Sequence, residues 1–226
     1  MSTKYKTCIS IAEKSPVKLK KSLKESLEKS DYVEVRLDYL APDKIPDVLE
    51  MMKKHLKRIV CTLRPKNEGG RFEGNEQERI SILKMIAEFN PFLLDVEFNT
   101  IKKRTELQRY LKSTRTNLLI SWHDFKKTPK ISELKNKMKN MSKFSNMIKI
   151  VTTARTVEES TRLLQLYAKK GKTGLIAFSM GESGKISRIL CLYLGSPYTY
   201  VSLGKPVAPG QFNVDEIKNI TSLKFR

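Results

Sequence analysis

The chain has 226 residues, of which 39% are hydrophobic and 30% charged, a length above the usual single domain but ordinary for one α/β barrel. No apolar run approaches the roughly 18 residues a membrane span needs, and the opening MSTKYKTCISIAEKS carries no small-residue cleavage pattern, so neither a membrane partner nor a signal peptide is expected. The net charge of +20 would suit nucleic acid if it were clustered. Instead the lysines are dispersed and aromatics make up only 8%, so a solvated basic surface with no nucleic-acid partner is the expectation.

Taken in chain order, short apolar runs alternate with amphipathic stretches. The runs that read as strands are Tyr5–Ile11, Tyr32–Leu37, Arg58–Leu63, Phe92–Val96, Asn117–Trp122, Met147–Val151, Gly174–Phe178 and Tyr198–Leu203. The stretches between them read as helices: Ser15–Glu28, Asp43–His55, Asn75–Phe89, Thr100–Lys112, Lys130–Asn140, Thr156–Lys169, Glu182–Leu194 and Val214–Leu223. Thr156-Val157-Glu158-Glu159 has the form of a capping box, and Gly171 stands where a helix stop is expected. Strand–helix alternation implies a parallel sheet, and eight units with no tail to spare imply closure into a (β/α)8 barrel, with residues 1–226 as one domain. An open doubly wound sheet would want a glycine-rich turn after an early strand. The glycine-rich turns present, at Gly69-Gly70 and Gly181-Glu182-Ser183-Gly184, do not have the G-x-G-x-x-G form.

The cysteines Cys8, Cys61 and Cys191 are odd in number and lack C-x-x-C spacing. Buried thiols in a reducing cytoplasm are expected, with neither a disulfide framework nor a metal site.

Side chains alternate between the two faces of a strand. The helix-facing set should be uniformly apolar, and Val33/Val35/Leu37, Ile59/Cys61/Leu63, Leu94/Val96, Leu118/Ile120/Trp122 and Ile148/Ile150 meet that requirement. The opposite parity then sends Glu34, Arg36, Asp38, Arg64, Asp95, Glu97, Ser121, His123 and Lys149 into the barrel. Barrel interiors are normally filled by branched apolar residues, and unpaired buried charges cost several kcal/mol each. An inward ionisable group from each of five consecutive strands, several near the C-terminal ends, therefore points to an active site. Asp38, Asp95 and Glu97 read more readily as partners of Arg and Lys than as catalysts. Glu34, Arg36 and Arg64 also fit a structural ion-pair network.

Lys149 sits between Ile148 and Ile150 inside an apolar strand. Desolvation and neighbouring arginines would both favour its neutral amine, the form that attacks a carbonyl to make an imine. The plainer alternative is a lysine paired with Glu34 or Glu97.

Across nearly the whole chain, several segments stand in a family's order: Glu34-Val35-Arg36-Leu37-Asp38, Arg64-Pro65-Lys66-Asn67-Glu68-Gly69-Gly70, Ser121-Trp122-His123-Asp124-Phe125, Ile148-Lys149-Ile150 with Thr156, Phe178-Ser179-Met180-Gly181 with Ser187-Arg188, and Ala208-Pro209-Gly210-Gln211. Jointly these resemble type I 3-dehydroquinate dehydratase, the Schiff-base enzyme of the shikimate pathway. The resemblance implies a (β/α)8 barrel, a homodimer, and syn elimination of water from 3-dehydroquinate to give 3-dehydroshikimate. It assigns Lys149 to the imine with the C3 ketone, His123 to general acid–base transfer and Glu68 to orienting that histidine. Glu34, Arg36 and Arg64 match positions holding the ring hydroxyls, Arg188 the carboxylate-binding arginine, and Gln211 a substrate-binding glutamine on a closing loop. Phe178 and Met180 match apolar contacts around the ring, although core packing explains them equally well. No metal or organic cofactor is implied, since the iminium serves as electrophile.

The chain departs from the family at Val207, where serine is common before Ala-Pro-Gly-Gln, and Ser202 is a conceivable substitute. The competing reading is another lysine-imine barrel acting on sugar phosphates. It would need phosphate-binding glycines after the seventh and eighth strands, and in Gly181-Glu182-Ser183-Gly184 the carboxylate of Glu182 would repel a phosphate.

Overall fold

The computed structural model describes residues 5–204, 206–208 and 210–222. Its strands are β1 (Thr7–Ile11), β2 (Tyr32–Arg36), β3 (Ile59–Thr62), β4 (Leu93–Glu97), β5 (Leu118–Asp124), β6 (Met147–Thr153), β7 (Gly174–Met180) and β8 (Thr199–Val201). The helices are α1 (Pro16–Lys29), α2 (Ile45–Met52), α3 (Glu76–Glu88), α4 (Phe98–Lys103), α5 (Thr105–Ser113), α6 (Ile131–Met141), α7 (Val157–Leu164), α8 (Ser187–Tyr193) and α9 (Val214–Ser222). Every strand pairing is parallel, in the order β7-β6-β5-β4-β3-β2-β1-β8. The sheet is a nearly closed barrel whose seam lies between β7 and β8. There α8 packs on both strands, and the Phe178 and Tyr200 rings meet at 6.2 Å.

The alternation along the strands divides the apolar residues into two clusters. The outer one, between sheet and helices, holds Ile9, Val33, Val35, Ile59, Cys61, Leu94, Val96, Ile120, Ile148 and Ile150. Each such side chain contributes about 2 kcal/mol on burial. The inner one holds Cys8, Val60, Leu93, Leu119, Val151, Ile176, Phe178, Tyr198 and Tyr200. Cys8, Val60, Leu93 and Leu119 lie toward the N-terminal ends of their strands, while Val151, Phe178 and Tyr200 reach the cavity at the other end, among the charged residues of β2 to β6.

Several boundaries differ from those the sequence predicts. β2 stops at Arg36, and Asp38 sits in a 3-10 turn, Leu37–Tyr39. There it accepts from Arg36 Nε and Nη2, both at 2.8 Å, and from Arg71 N at 2.9 Å. The predicted fourth helix is two helices that break at Arg104. The predicted stretch Glu182–Leu194 is a 3-10 turn, Glu182–Gly184, followed by α8. β8 keeps only three residues, because the chain after it turns into the loop leading to Gln211. Thr156 does cap α7 by accepting from Glu159 N at 3.3 Å. The Glu159 carboxylate, however, accepts from Arg155 N at 2.7 Å rather than from Thr156 N, so the capping box is displaced by one residue. All three cysteines are free and buried. Among the described residues no helix is long and apolar enough to cross a membrane.

Candidate active site

The C-terminal ends of the strands surround a cavity of about 400 Å³. Glu34, Arg36, Arg64, Glu68, His123, Lys149, Arg188 and Gln211 all line it. Each arrives by a different local route.

Glu34 and Lys149 face inward by strand parity. The Glu34 carboxylate accepts from Ser10 Oγ at 2.8 Å and from Thr62 Oγ1 at 2.9 Å. Lys149 Nζ donates to Asp95 Oδ2 at 3.1 Å and stands 3.6 Å from Glu34 Oε1. It also lies 4.4 Å from the Tyr200 ring centroid. The ammonium therefore faces carboxylates rather than the arginines expected from the sequence. Arginine and lysine share a strand parity but alternate with acidic residues around the barrel. Glu97 is not the lysine's partner: its Oε1 accepts from Arg64 Nη1 and its Oε2 from Arg79 Nη1, both at 2.7 Å.

Arg64 occupies the barrel centre. Nη1 also donates to Ser121 Oγ and Nη2 to Asp95 Oδ2, again at 2.7 Å. Burial opposes the Arg64 charge, but Asp95 and Glu97 outweigh it and raise its pKa. Burial would likewise push Asp95 up. Arg64 and Lys149 overcome that and hold its carboxyl well below the usual range. The charges are thus mutually compensated, which is the condition for burying them.

The turn after β3 brings Glu68 back over the cavity. Glu68 N and Gly70 N both donate to Pro65 O, at 3.1 and 2.9 Å, while Gly69 adopts φ +77°. A Cβ on Gly70 would stand 1.9 Å from Arg64 O, so only glycine permits this close approach. Glu68 Oε1 accepts from Asn99 Nδ2 at 3.0 Å, and Oε2 faces His123 Nδ1 at 3.7 Å. Burial first, and the nearby Glu97 charge second, raise Glu68 to about 7. Burial also lowers His123 well below its ordinary 6.5, helped by the Arg64 and Lys149 cations and opposed by Asp95. At neutral pH the imidazole is neutral and free to accept a proton. The Phe125 ring lies stacked beside it, with centroids 5.9 Å apart.

Arg188 comes from the first turn of α8. Its guanidinium carbon lies 4.2 Å from the Phe178 ring centroid, and burial lowers its pKa to about 10. Gln211 folds back on its own loop, where Oε1 accepts from Val207 N at 2.9 Å and Ala208 N at 3.3 Å. That loop belongs to the cavity wall through Val207, Ala208 and Gln211. Pro209, quoted with this segment, lies outside the described residues. Phe178 and Met180 line the cavity as the resemblance implies. Ser202 does not: its hydroxyl donates within the chain to Gly204 O and Phe212 O. Among the described residues, those with hydroxyls that line it are Ser10, Tyr39, Thr153 and Tyr200.

Three features have no counterpart in the sequence reading. Asn99 fixes Glu68, Tyr200 presents its ring to Lys149, and Arg79 reaches Glu97 from outside the barrel. Asn99 and Arg79 lie on helices, where strand parity carries no information. In the turn Gly181–Gly184, Gly184 N donates to Gly181 O and Ser183 Oγ to Arg155 O. These donors are spent within the protein, unlike those of a phosphate cradle.

The family model for type I 3-dehydroquinase matches residues 7–226. The chain belongs to that family. It is 37% identical over 220 residues to the 3-dehydroquinate dehydratase of Methanococcus maripaludis, covering 96% of this chain and 98% of the relative. It is 36% identical over 208 residues to that of Pyrococcus abyssi, covering 89% and 94%. Among solved structures, the 3-dehydroquinate dehydratase of Aquifex aeolicus matches with a TM-score of 0.81 and 27% identity, covering 97% of this chain and 99% of that one. The Geobacillus kaustophilus enzyme matches in fold with a TM-score of 0.88 at 21% identity, covering 96% and 90%. As a type I 3-dehydroquinase, the protein is a hydro-lyase of the shikimate pathway that works through a lysine Schiff base.

Proposed function

We propose that Lys149 forms the imine with the C3 ketone of 3-dehydroquinate, with His123 as the acid–base group and Glu68 as its orienting partner. The observation that carries this reading is the placement of a buried lysine amine and a neutral imidazole on neighbouring strands of one cavity. In the β5–β6 register Ser121 lies opposite Lys149, so His123 stands two residues further toward the C-terminal end.

The ammonium held by Asp95 and Glu34 first gives up a proton, and the neutral imidazole of His123 accepts it. The amine adds to the ketone, and loss of water leaves the protonated imine. His123 then takes the proton from C2, and the electron pair moves into the iminium to give an enamine. Its return expels the hydroxyl, which leaves as water with the proton His123 carries. Hydrolysis of the imine releases 3-dehydroshikimate and restores Lys149, so the net change is the loss of one water. Asp95 and Glu34 compensate the positive nitrogen through iminium and ammonium alike, which is electrostatic preorganisation.

Arg188 is the partner for the substrate carboxylate, where a guanidinium fork suits the two oxygens. Glu34, Arg36 and Arg64 position the ring hydroxyls. Gln211 braces the loop over the site, and its amide nitrogen is the group that reaches substrate. Val207 gives the ring an apolar contact where the family commonly has a serine. Residues 1–226 act as one catalytic domain. Two chains pair, a reading supported by Ile186, Leu190, Tyr193 and Leu194, exposed in and at either end of α8. The free thiols fit the cytoplasm.

The test is reductive trapping. Protein is incubated with 3-dehydroquinate and borohydride, and the added mass is located by peptide mass spectrometry, with Lys149→Ala as control. A stable adduct on Lys149, absent from the control, is the expected result, with 3-dehydroshikimate formed when borohydride is omitted. An adduct on another lysine, or product without any adduct, would overturn the assignment.

A further inference from the structure

Arg79 is the largest fully buried side chain among the described residues, 1% exposed, and it lies on α3 outside the barrel. Asn75 caps α3 by accepting from Glu78 N at 2.9 Å, and Arg79, one turn on, reaches the C-terminal ends of β3 and β4. The guanidinium of Arg79 enters between these strands. Nη1 donates to Glu97 Oε2 at 2.7 Å and to Leu63 O at 3.2 Å; Nη2 donates to Thr100 Oγ1 at 2.6 Å. Glu76 holds the fork from the solvent side, taking Nε at 2.8 Å and Nη2 at 3.0 Å. Arg79 lines no part of the cavity and can touch no substrate there.

It nevertheless belongs to an unbroken chain of alternating charges that runs inward from Glu76. Arg79 meets Glu97 at 2.7 Å, Glu97 meets Arg64 at 2.7 Å, Arg64 meets Asp95 at 2.7 Å, and Asp95 meets Lys149 at 3.1 Å. Glu97 is wholly buried and bridges two guanidiniums, one from each side of the barrel wall. Without Arg79, one oxygen of Glu97 would be left buried without a cation. Its full charge would then bear on Arg64, on Glu68 and on the two groups that exchange protons.

We propose that Arg79 is a positioning residue for the dehydratase reaction: through Glu97 it fixes Arg64 and balances the negative charge of the barrel interior that faces Lys149 and His123. This rests on the role given to Lys149 above. The sign of the effect follows from charge. Removing the Arg79 cation makes the barrel interior more negative, which favours the imidazolium of His123 and delays its deprotonation. A residue that served packing alone would affect stability without moving the pH profile of the remaining folded enzyme.

The experiment measures kcat and KM against pH for wild type, Arg79→Met and Arg79→Lys. Rates are normalised to the sites trapped by borohydride, so that unfolded protein does not count. For Arg79→Met the expected result is a fall in kcat/KM of roughly tenfold per trapped site and an acid limb displaced upward by about half a pH unit or more. Arg79→Lys restores the charge and returns the limb toward wild type, while the lost fork leaves KM raised. If Arg79→Met does not fold, Glu76→Gln decides. It frees the outer side of the fork and removes a negative charge, so the limb moves downward. Trapping on wild-type Lys149 together with an unmoved limb in every folded variant would overturn the role of Arg79. Failure of wild type to trap on Lys149 would instead overturn the reading on which it rests.

Discussion

His123 Nδ1 and Glu68 Oε2 face each other across 3.7 Å. Both atoms are buried, and neither has a hydrogen-bond partner among the described residues. The separation is just beyond hydrogen-bond reach, and a small movement of either side chain closes it. The environment brings the two groups to one shared proton near neutrality: burial makes Glu68 a weaker acid, at about 7, and the imidazole a weaker base. A carboxyl so poised can orient the ring as substrate arrives and then hold the imidazolium that forms.

With His123 as the proposed acid–base group, the pH dependence of the rate follows from its surroundings. Its pKa lies well below 6.5 because of burial and the Arg64 and Lys149 cations. The unprotonated ring therefore persists to lower pH than an ordinary imidazole would allow. NMR titration of the free enzyme should show the His123 resonance changing below pH 6.5. A midpoint at or above the ordinary value would contradict the neutral-ring starting state.

Glu68 carries a stability prediction with a definite sign. Its folded-state pKa, about 7, is above the ordinary 4.5, so the native state binds the proton more tightly than the unfolded chain. The associated stability is present below about pH 4.5 and is lost as pH rises through about 7. Glu68→Gln should match wild type near pH 5 and exceed it at pH 8 by about 1–3 kcal/mol, read from urea unfolding. The variant should also lose rate, because an amide cannot share the proton. A stability difference that is the same at both pH values would show that Glu68 is not held protonated.

Lys149→Met removes the cation that faces Asp95 and Glu34. Breaking a buried pair by deleting one partner costs about 3–5 kcal/mol, although Asp95 keeps Arg64 and the lower figure is expected. Thermal melts should show this loss together with the absence of any borohydride adduct. A variant as stable as wild type would mean that the carboxylates are neutralised in some other way.

Arg188→Lys keeps a positive charge but loses the fork over the Phe178 ring. KM for 3-dehydroquinate should rise roughly 10- to 100-fold with a smaller change in kcat. Loss of kcat with KM unchanged would move Arg188 out of ground-state carboxylate binding.

Gly70→Ala would place a methyl group 1.9 Å from Arg64 O. The contact is with backbone, so no side-chain rotation relieves it. The expected cost is about 2–4 kcal/mol, with a lower melting temperature and reduced activity as Glu68 is pushed from His123. Unchanged stability would show that this turn has another conformation available.

The period of two along the strands was sufficient to sort Glu34, Arg64, Asp95, Glu97, His123 and Lys149 onto the interior face. A uniformly apolar opposite face leaves no other choice of parity. The same alternation, repeated eight times, was sufficient for the parallel barrel. The Glu68-Gly69-Gly70 turn and the loop ending at Gln211 were legible through their order and residue types, and so was Arg188 through likeness to the family. Parity reports which way a side chain points and not which neighbour it meets. The pairing of Lys149 with Asp95, and the sharing of Glu97 between Arg64 and Arg79, were therefore decided by strand stagger around the barrel. Asn99 and Arg79 enter from helices, and only the packing of α4 and α3 on the strand ends brings them to Glu68 and Glu97. Local sequence thus determined the fold and which strand residues face the barrel interior. The proton and charge balance within it arose only when residues distant along the chain were brought within about 3 Å in a dry interior.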